Sequence, residues 1–204
     1  MRTPAQLLAA AREDITAETA FLESRLVAGS ARLFASTILS FREQLDARKF
    51  FRSKMIEMRQ RHRTHADTPY ALEPNIKENP GGMRDLQVFL WCTKAAGFGS
   101  SWRELAHSGL VTMAEADQLT RCQQFLSELR IRLHLLRRRH ADQLVFDAQA
   151  PMAEEYFKAK PSRAAIPLGG LRPSEALMKR YYVNAKSTVQ LSEILLQAIS
   201  DWMS

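Results

Sequence analysis

Two cations and a pair of glycines fall together in Lys77-Glu78-Asn79-Pro80-Gly81-Gly82-Met83-Arg84, a grouping with the means to receive an anion. Pro80 stops whatever precedes it, and Gly81 and Gly82 can take backbone angles closed to other residues. Helical spacing resumes at Met83. A di-glycine turn feeding a helix start is expected to leave unpaired N–H groups at one point. With Lys77 and Arg84 beside them, phosphate is the natural ligand. The same spacing also suits a plain loop between two helices, since most Gly-Gly turns bind nothing. A second candidate is the run from Arg42 to Arg63, where Arg42, Arg48, Lys49, Arg52, Lys54, Arg59, Arg61 and Arg63 outnumber Glu43, Asp46 and Glu57. Such a helix could lie along phosphates. A solvated face packed from beneath by Phe50, Met55 and Met58 is the better reading of it. No aromatic platform for bases accompanies it, so nucleic acid is not the expected partner.

Other chemistries are absent. No Asp-x-Asp pair occurs that would hold Mg²⁺ against a triphosphate, and neither Gly29-Ser30 nor Gly99-Ser100 precedes one. There is no Walker loop, no Gly-x-Gly-x-x-Gly, no nucleophile elbow and no His-Asp dipeptide. Cys92 and Cys122 are the only cysteines. Each sits in a helical pattern, so they read as small core residues rather than a disulfide or a zinc site. His62 and His65 stand three apart without a third ligand at recognisable spacing, and no metal site is expected from them. The formal charge of +7 favours anionic partners: nucleotides, nucleic acid or an acidic protein surface. With no apolar run near the roughly 18 to 20 residues of a membrane span and no signal-peptide core, the chain is expected in the cytoplasm, with no membrane partner.

The elements that must position these residues are helical throughout, and the expected fold class is all-α, an irregular multi-helix bundle with long antiparallel helices. Short helices are expected at Gln6 to Glu13 and at Thr19 to Ala28, the second closed by Gly29. Longer ones follow at Ser30 to Leu45 and at Ala47 to about Arg63, the latter turning Phe50, Phe51, Met55 and Met58 inward. Thr64 to Gly82, with Pro69, Pro74 and Pro80, reads as irregular. Met83 to Ala96 resumes with Leu86, Phe89, Leu90 and Thr93 on one face and Gly97 as its stop, before a brief turn at Trp102 to Ala106. Thr112-Met113-Ala114-Glu115 has the form of a capping box. It opens a helix whose Leu119, Cys122, Leu126, Leu129, Leu133 and Leu136 form one seam, and whose basic end, Arg137 to Arg139, suits the helix dipole. Asp142 to Phe157 is expected to be partly helical and Lys160 to Pro173 to be loop. Ser174 is expected to cap a final helix striped by Leu177, Tyr181, Ala185, Leu191, Leu195 and Ala198.

The segment Glu73-Pro74-Asn75-Ile76-Lys77-Glu78-Asn79-Pro80-Gly81-Gly82-Met83-Arg84-Asp85-Leu86-Gln87 closely resembles a signature of the bifunctional uridylyltransferase/uridylyl-removing enzymes that modify the PII nitrogen-signalling protein. A related Gly-Gly-Ile-Arg-Asp form occurs in glutamine synthetase adenylyltransferase. The likeness extends to Lys54-Met55-Ile56-Glu57-Met58-Arg59-Gln60-Arg61-His62, Leu133-His134-Leu135, Val145-Phe146-Asp147 and Met178-Lys179-Arg180-Tyr181-Tyr182, and so covers nearly the whole chain.

In that family a nucleotidyltransferase domain with paired, Mg²⁺-binding aspartates is followed by a helical domain, an HD phosphohydrolase domain and two ACT domains. The resemblance implies that residues 1–28 are the tail of the first domain and 29–204 the helical domain. With neither paired aspartates nor His-Asp present, no catalytic residue and no metal ligand carries over, and the chain alone is expected to be inactive. What carries over is a supporting role in UMP transfer from UTP to PII. Lys77, Gly81, Gly82 and Arg84 would face the nucleotide phosphates, and Glu73, Asn75, Glu78 and Asp85 would orient them. Mg²⁺, UTP and PII are implied for the parent enzyme, with the metal's ligands elsewhere.

Overall fold

The structure, a computed structural model, describes residues 3–158 and 170–203. Within them the chain is all-α: α1 (Pro4–Glu13), α2 (Ile15–Leu22), α3 (Ala31–Gln44), α4 (Ala47–Thr64), α5 (Met83–Ala95), α6 (Trp102–His107), α7 (Met113–Arg137), α8 (Phe146–Lys158) and α9 (Pro173–Met203). Among the described residues, none of these helices is long and apolar enough to cross a membrane. Most of the loop expected at 160–173 lies outside the described residues.

Capping chemistry sets the boundaries. Thr112 and Glu115 close the capping box that starts α7. Asp46 accepts from the Lys49 N–H at 3.0 Å to start α4. The second helix runs earlier than the expected Thr19 to Ala28, because Asp14 Oδ1 takes the Thr16 N–H at 2.8 Å and begins the helix at Ile15. Beyond Leu22 nothing covers the chain, and Val27 is 85% exposed. Ser174 is likewise not the cap of α9. Pro173, whose fixed φ suits a first helical position, begins it, and the Glu175 carboxylate accepts the Arg172 N–H at 3.1 Å.

The core forms where α5 packs against α4, α7 and α9, with α8 covering the far side of α7 and α9. Leu86, Val88, Phe89, Cys92 and Thr93 of α5 are all buried, because this short helix has neighbours on nearly every side. The α7 seam is buried from Leu119 to Leu133, whereas Leu136 is only half-buried at the frayed end. Along α9, Leu177, Tyr181, Ala185 and Leu195 point inward as expected. Ala198 does not: it is exposed and Ile199 is buried in its place. A four-residue step from Leu195 keeps to the buried face and brings in the larger apolar side chain. Both cysteines are buried and unbridged, and burial pushes the Cys92 thiol up to about 12. It is therefore a packing residue, not a nucleophile.

Leu129 lies fully buried in the α7 seam, and Leu135 on the same helix is 70% exposed. Leu129→Ala is expected to lower unfolding free energy by about 3 kcal/mol, and Leu135→Ala by less than about 0.5 kcal/mol. Denaturant midpoints of the two variants measure the difference.

Candidate functional site

Residues 65–82 leave α4 and return to α5 without regular structure, so every buried backbone polar group there needs a partner. The chain supplies them from its own side chains and from the segment before α8. Ile76 N–H donates to the Asp142 carbonyl at 2.8 Å and Leu144 N–H to the Pro74 carbonyl at 2.9 Å, forming the isolated antiparallel bridge between Asn75 and Gln143. The Glu73 carboxylate accepts the N–H of Phe146, first residue of α8, at 2.6 Å, so it acts as a helix cap. Asn75 Oδ1 accepts from Lys77 and Glu78 N–H at 3.0 and 2.9 Å, and Asn79 Oδ1 accepts from Asn75 N–H at 2.9 Å. Glu73 and Asn75 thus build the loop and make no contact with Lys77 or Arg84 side chains.

The di-glycine turn is not an open anion cradle. Gly81 N–H donates to Asp85 Oδ2 at 2.7 Å. Gly82, Met83, Arg84 and Asp85 N–H donate in turn to the carbonyls of Asn79, Ile76, Lys77 and Gly82. The N–H groups expected to be free at the start of α5 are consumed by the loop folding back over it. The glycines serve packing instead. Gly81 has φ +78°, and a Cβ there would stand 2.2 Å from the Ala185 carbonyl oxygen of α9. At Gly82 a Cβ would meet the carbonyls of Ile76, Lys77 and Asn79, each at 2.8 Å. Close approach does require glycine at both positions, but what approaches is the protein's own backbone.

Two charge clusters grow from this frame. The buried Asp85 carboxylate, 2% exposed, pairs with Arg61 Nη2 and with His62 Nε2 at 2.9 Å while holding Gly81 N–H. Its partners do not include Lys77 or Arg84, which pair with Glu78 instead. Glu78 Oε1 lies 3.2 Å from Lys77 Nζ and 3.4 Å from Arg84 Nη2, half-buried like both partners. Burial pushes the Glu78 carboxyl up, but the Lys77 hydrogen bond and the Arg84 charge outweigh it and hold it below the ordinary glutamate range. Arg84 also donates to Gln87 Oε1 at 3.0 Å and lies 5.4 Å from the centre of the Trp91 ring. On the α9 side, His62 and Asp85 end a 370 Å³ cleft between α4 and α9 that Phe51, Met58, Arg59 and Ser192 also line.

The loop lies inside the stretch of the chain that matches a known family. The model of the GlnD PII-uridylyltransferase family matches residues 49–196. The chain belongs to that family. It is 50% identical over 98% of its length to the bifunctional uridylyltransferase/uridylyl-removing enzyme of Burkholderia thailandensis, and 51% identical over 98% to that of Burkholderia pseudomallei. It spans only 22% of each of these relatives. No solved structure matches it.

Within this GlnD-family chain, sequence marked Arg61 only as part of a basic run and His62 only as one of a histidine pair, missing their partnership with Asp85, and it did not mark Trp91 at all. Arg61 and His62 are 24 and 23 positions from Asp85, a separation with no local pattern to mark it. The basic run around them is thinned by the fold. Lys54 is buried against Glu57 at 2.8 Å and over the Trp91 ring at 5.0 Å, and Arg61 turns inward to Asp85. Arg42, Arg48, Lys49, Arg52, Arg59 and Arg63 stay exposed.

Two outcomes follow from this geometry. Gly81→Ala pays for a left-handed Cβ and must displace α9, and is expected to cost at least about 2 kcal/mol in a chemical melt. Glu78, depressed in the folded chain, stabilises it above the ordinary glutamate pKa of about 4.3 and loses that contribution as pH falls through its lower folded value. The stability gap between the parent and Glu78→Gln should therefore be widest near neutrality and close as pH falls below about 4.3.

Proposed function

We propose that this chain is the helical domain of a PII uridylyltransferase and that it supports transfer of UMP from UTP to the PII protein. On this reading residues 1–28 are the end of a nucleotidyltransferase domain and 29–204 the helical domain. The continuous exposure of residues 23–33 supports a division there. The observation that carries the reading is the GlnD signature itself, folded as a rigid knot whose partly exposed cations are Lys77 and Arg84. Both held by Glu78, and Arg84 backed by Trp91, they would meet phosphate charge through side chains alone, since the N–H groups behind them are spent. Gly81 and Gly82 contribute by fixing where those side chains stand.

The signature's acids do not fit a magnesium ion. Glu78 is engaged by Lys77 and Arg84, and Asp85 by Arg61, His62 and the Gly81 N–H. Divalent magnesium takes carboxylates not already neutralised. No step of the transfer is therefore routed through these two residues as metal ligands.

Incubated with UTP, Mg²⁺ and PII, the purified chain is expected to give no uridylylated PII, and clear turnover would sink the reading. UTP binding, followed by calorimetry, should weaken at least about tenfold on Lys77→Glu or Arg84→Glu and be indifferent to Arg52→Glu. The reverse pattern would move the anion site to the exposed face of α4.

A further inference from the structure

Two imidazoles and a carboxylate converge at the end of α7, away from the di-glycine turn. His134 lies in the last turn of α7, and His140 and Asp142 on the connection to α8. His134 Nε2 is 3.0 Å from Asp142 Oδ1, and His140 Nε2 is 3.8 Å from Asp142 Oδ2. One ligand atom from each residue lies within 4.8 Å of the other two. The side chains are graded in exposure: Asp142 10%, His134 27% and His140 70%. This gives a buried floor and an open mouth.

These separations suit one small ion. With zinc–nitrogen and zinc–oxygen bonds near 2.0 to 2.2 Å, neighbouring ligand atoms of a tetrahedral site stand about 3.3 Å apart. The two measured separations, which end on different oxygens of the Asp142 carboxylate, lie either side of that figure. Two imidazole nitrogens and one oxygen select zinc, cobalt or nickel over magnesium and calcium, which take oxygen ligands. A site with three protein ligands leaves one position for water.

A cation already stands there. Arg130 Nε donates to Asp142 Oδ1 at 2.6 Å, and its Nη2 reaches Asp142 Oδ2 at 3.3 Å and His140 Nε2 at 3.0 Å. Because a guanidinium only donates, His140 Nε2 must be the unprotonated nitrogen, with its lone pair turned into the cluster. That is the state a metal ligand needs. His134 Nε2, facing the carboxylate, donates and must give up its proton to ligate. Arg130 is one-quarter exposed and sits on the same helix as His134, so it can swing to solvent without backbone movement. The Asp142 backbone cannot follow it, because its carbonyl is held by the Ile76 N–H at 2.8 Å.

We propose that His134, His140 and Asp142 form a binding site for a transition-metal dication of the zinc and cobalt class, which Arg130 closes in the metal-free chain. The ion displaces the guanidinium from the carboxylate and from His140.

Calorimetric titration of the whole chain with Zn²⁺, and with Co²⁺ followed by its visible d–d absorption, tests this. One equivalent should bind. His140→Ala, at an exposed position, should weaken binding at least about tenfold while lowering the thermal melt of the metal-free chain only slightly, by the loss of one exposed hydrogen bond, and His134→Gln should also weaken binding. Arg130→Gln should tighten it severalfold by removing the competitor. His65→Ala, the control for the other histidine neighbourhood, should change nothing. Absence of binding in both the parent chain and Arg130→Gln overturns the proposal, and so does affinity that survives His140→Ala.

Discussion

The Asp85 carboxylate is the interaction on which the arrangement of this molecule rests. Buried to 2% exposure, it binds a guanidinium and an imidazole from α4 and a backbone N–H from the turn before its own helix. A carboxylate so deep is tolerable only with its lone pairs filled, and removing one partner from such a pair costs about 3 to 5 kcal/mol. Three segments, the end of α4, the di-glycine turn and the start of α5, are therefore fixed by one side chain. Because the pairing is ionic as well as hydrogen-bonded, it sets direction as well as distance, which apolar packing alone does not.

Around that carboxylate the loop is self-satisfied. Asn75 and Asn79 cap its turns, Glu73 caps α8, and Ile76, fully buried, enters the core. A segment of this composition would ordinarily be a mobile connection. Here its backbone groups are paired largely within the loop itself and, at residues 74–76, with the 142–144 segment, which gives it one defined shape. Lys77, Glu78 and Arg84 are displayed from it as a fixed charged surface. Like the rest of the α5 N-terminus, they depend on the 142–144 segment that clamps residues 74–76 from behind.

Much of this was legible in the chain itself. The α7 seam from Leu119 to Leu133 and the capping box at Thr112 follow from local chemistry, and so does the inward face of α4 at Phe50, Phe51 and Met58. The signature was recognisable as a unit, and its need for glycine was foreseen. What the glycines make room for was not, because that depends on Ala185, about a hundred residues away. The pairing of Asp85 with Arg61 and His62 is hidden for the same reason. Where sequence erred locally, at α2 and at the start of α9, a competing cap won: Asp14 over the later turn, and Pro173 with Glu175 over Ser174.

The contact of Gly81 with the Ala185 carbonyl makes α9 an indexed shaft. Its 31 residues run past the signature turn, and at Ala185 the helix backbone stands where a Cβ on Gly81 would be. A slide of about 1.5 Å, a single residue's rise, would lift the carbonyl from that place and press a side chain against the turn. Rotation about the helix axis would do the same. The turn that leads into Arg84 and the backbone of α9 therefore meet with no side chain between them to give.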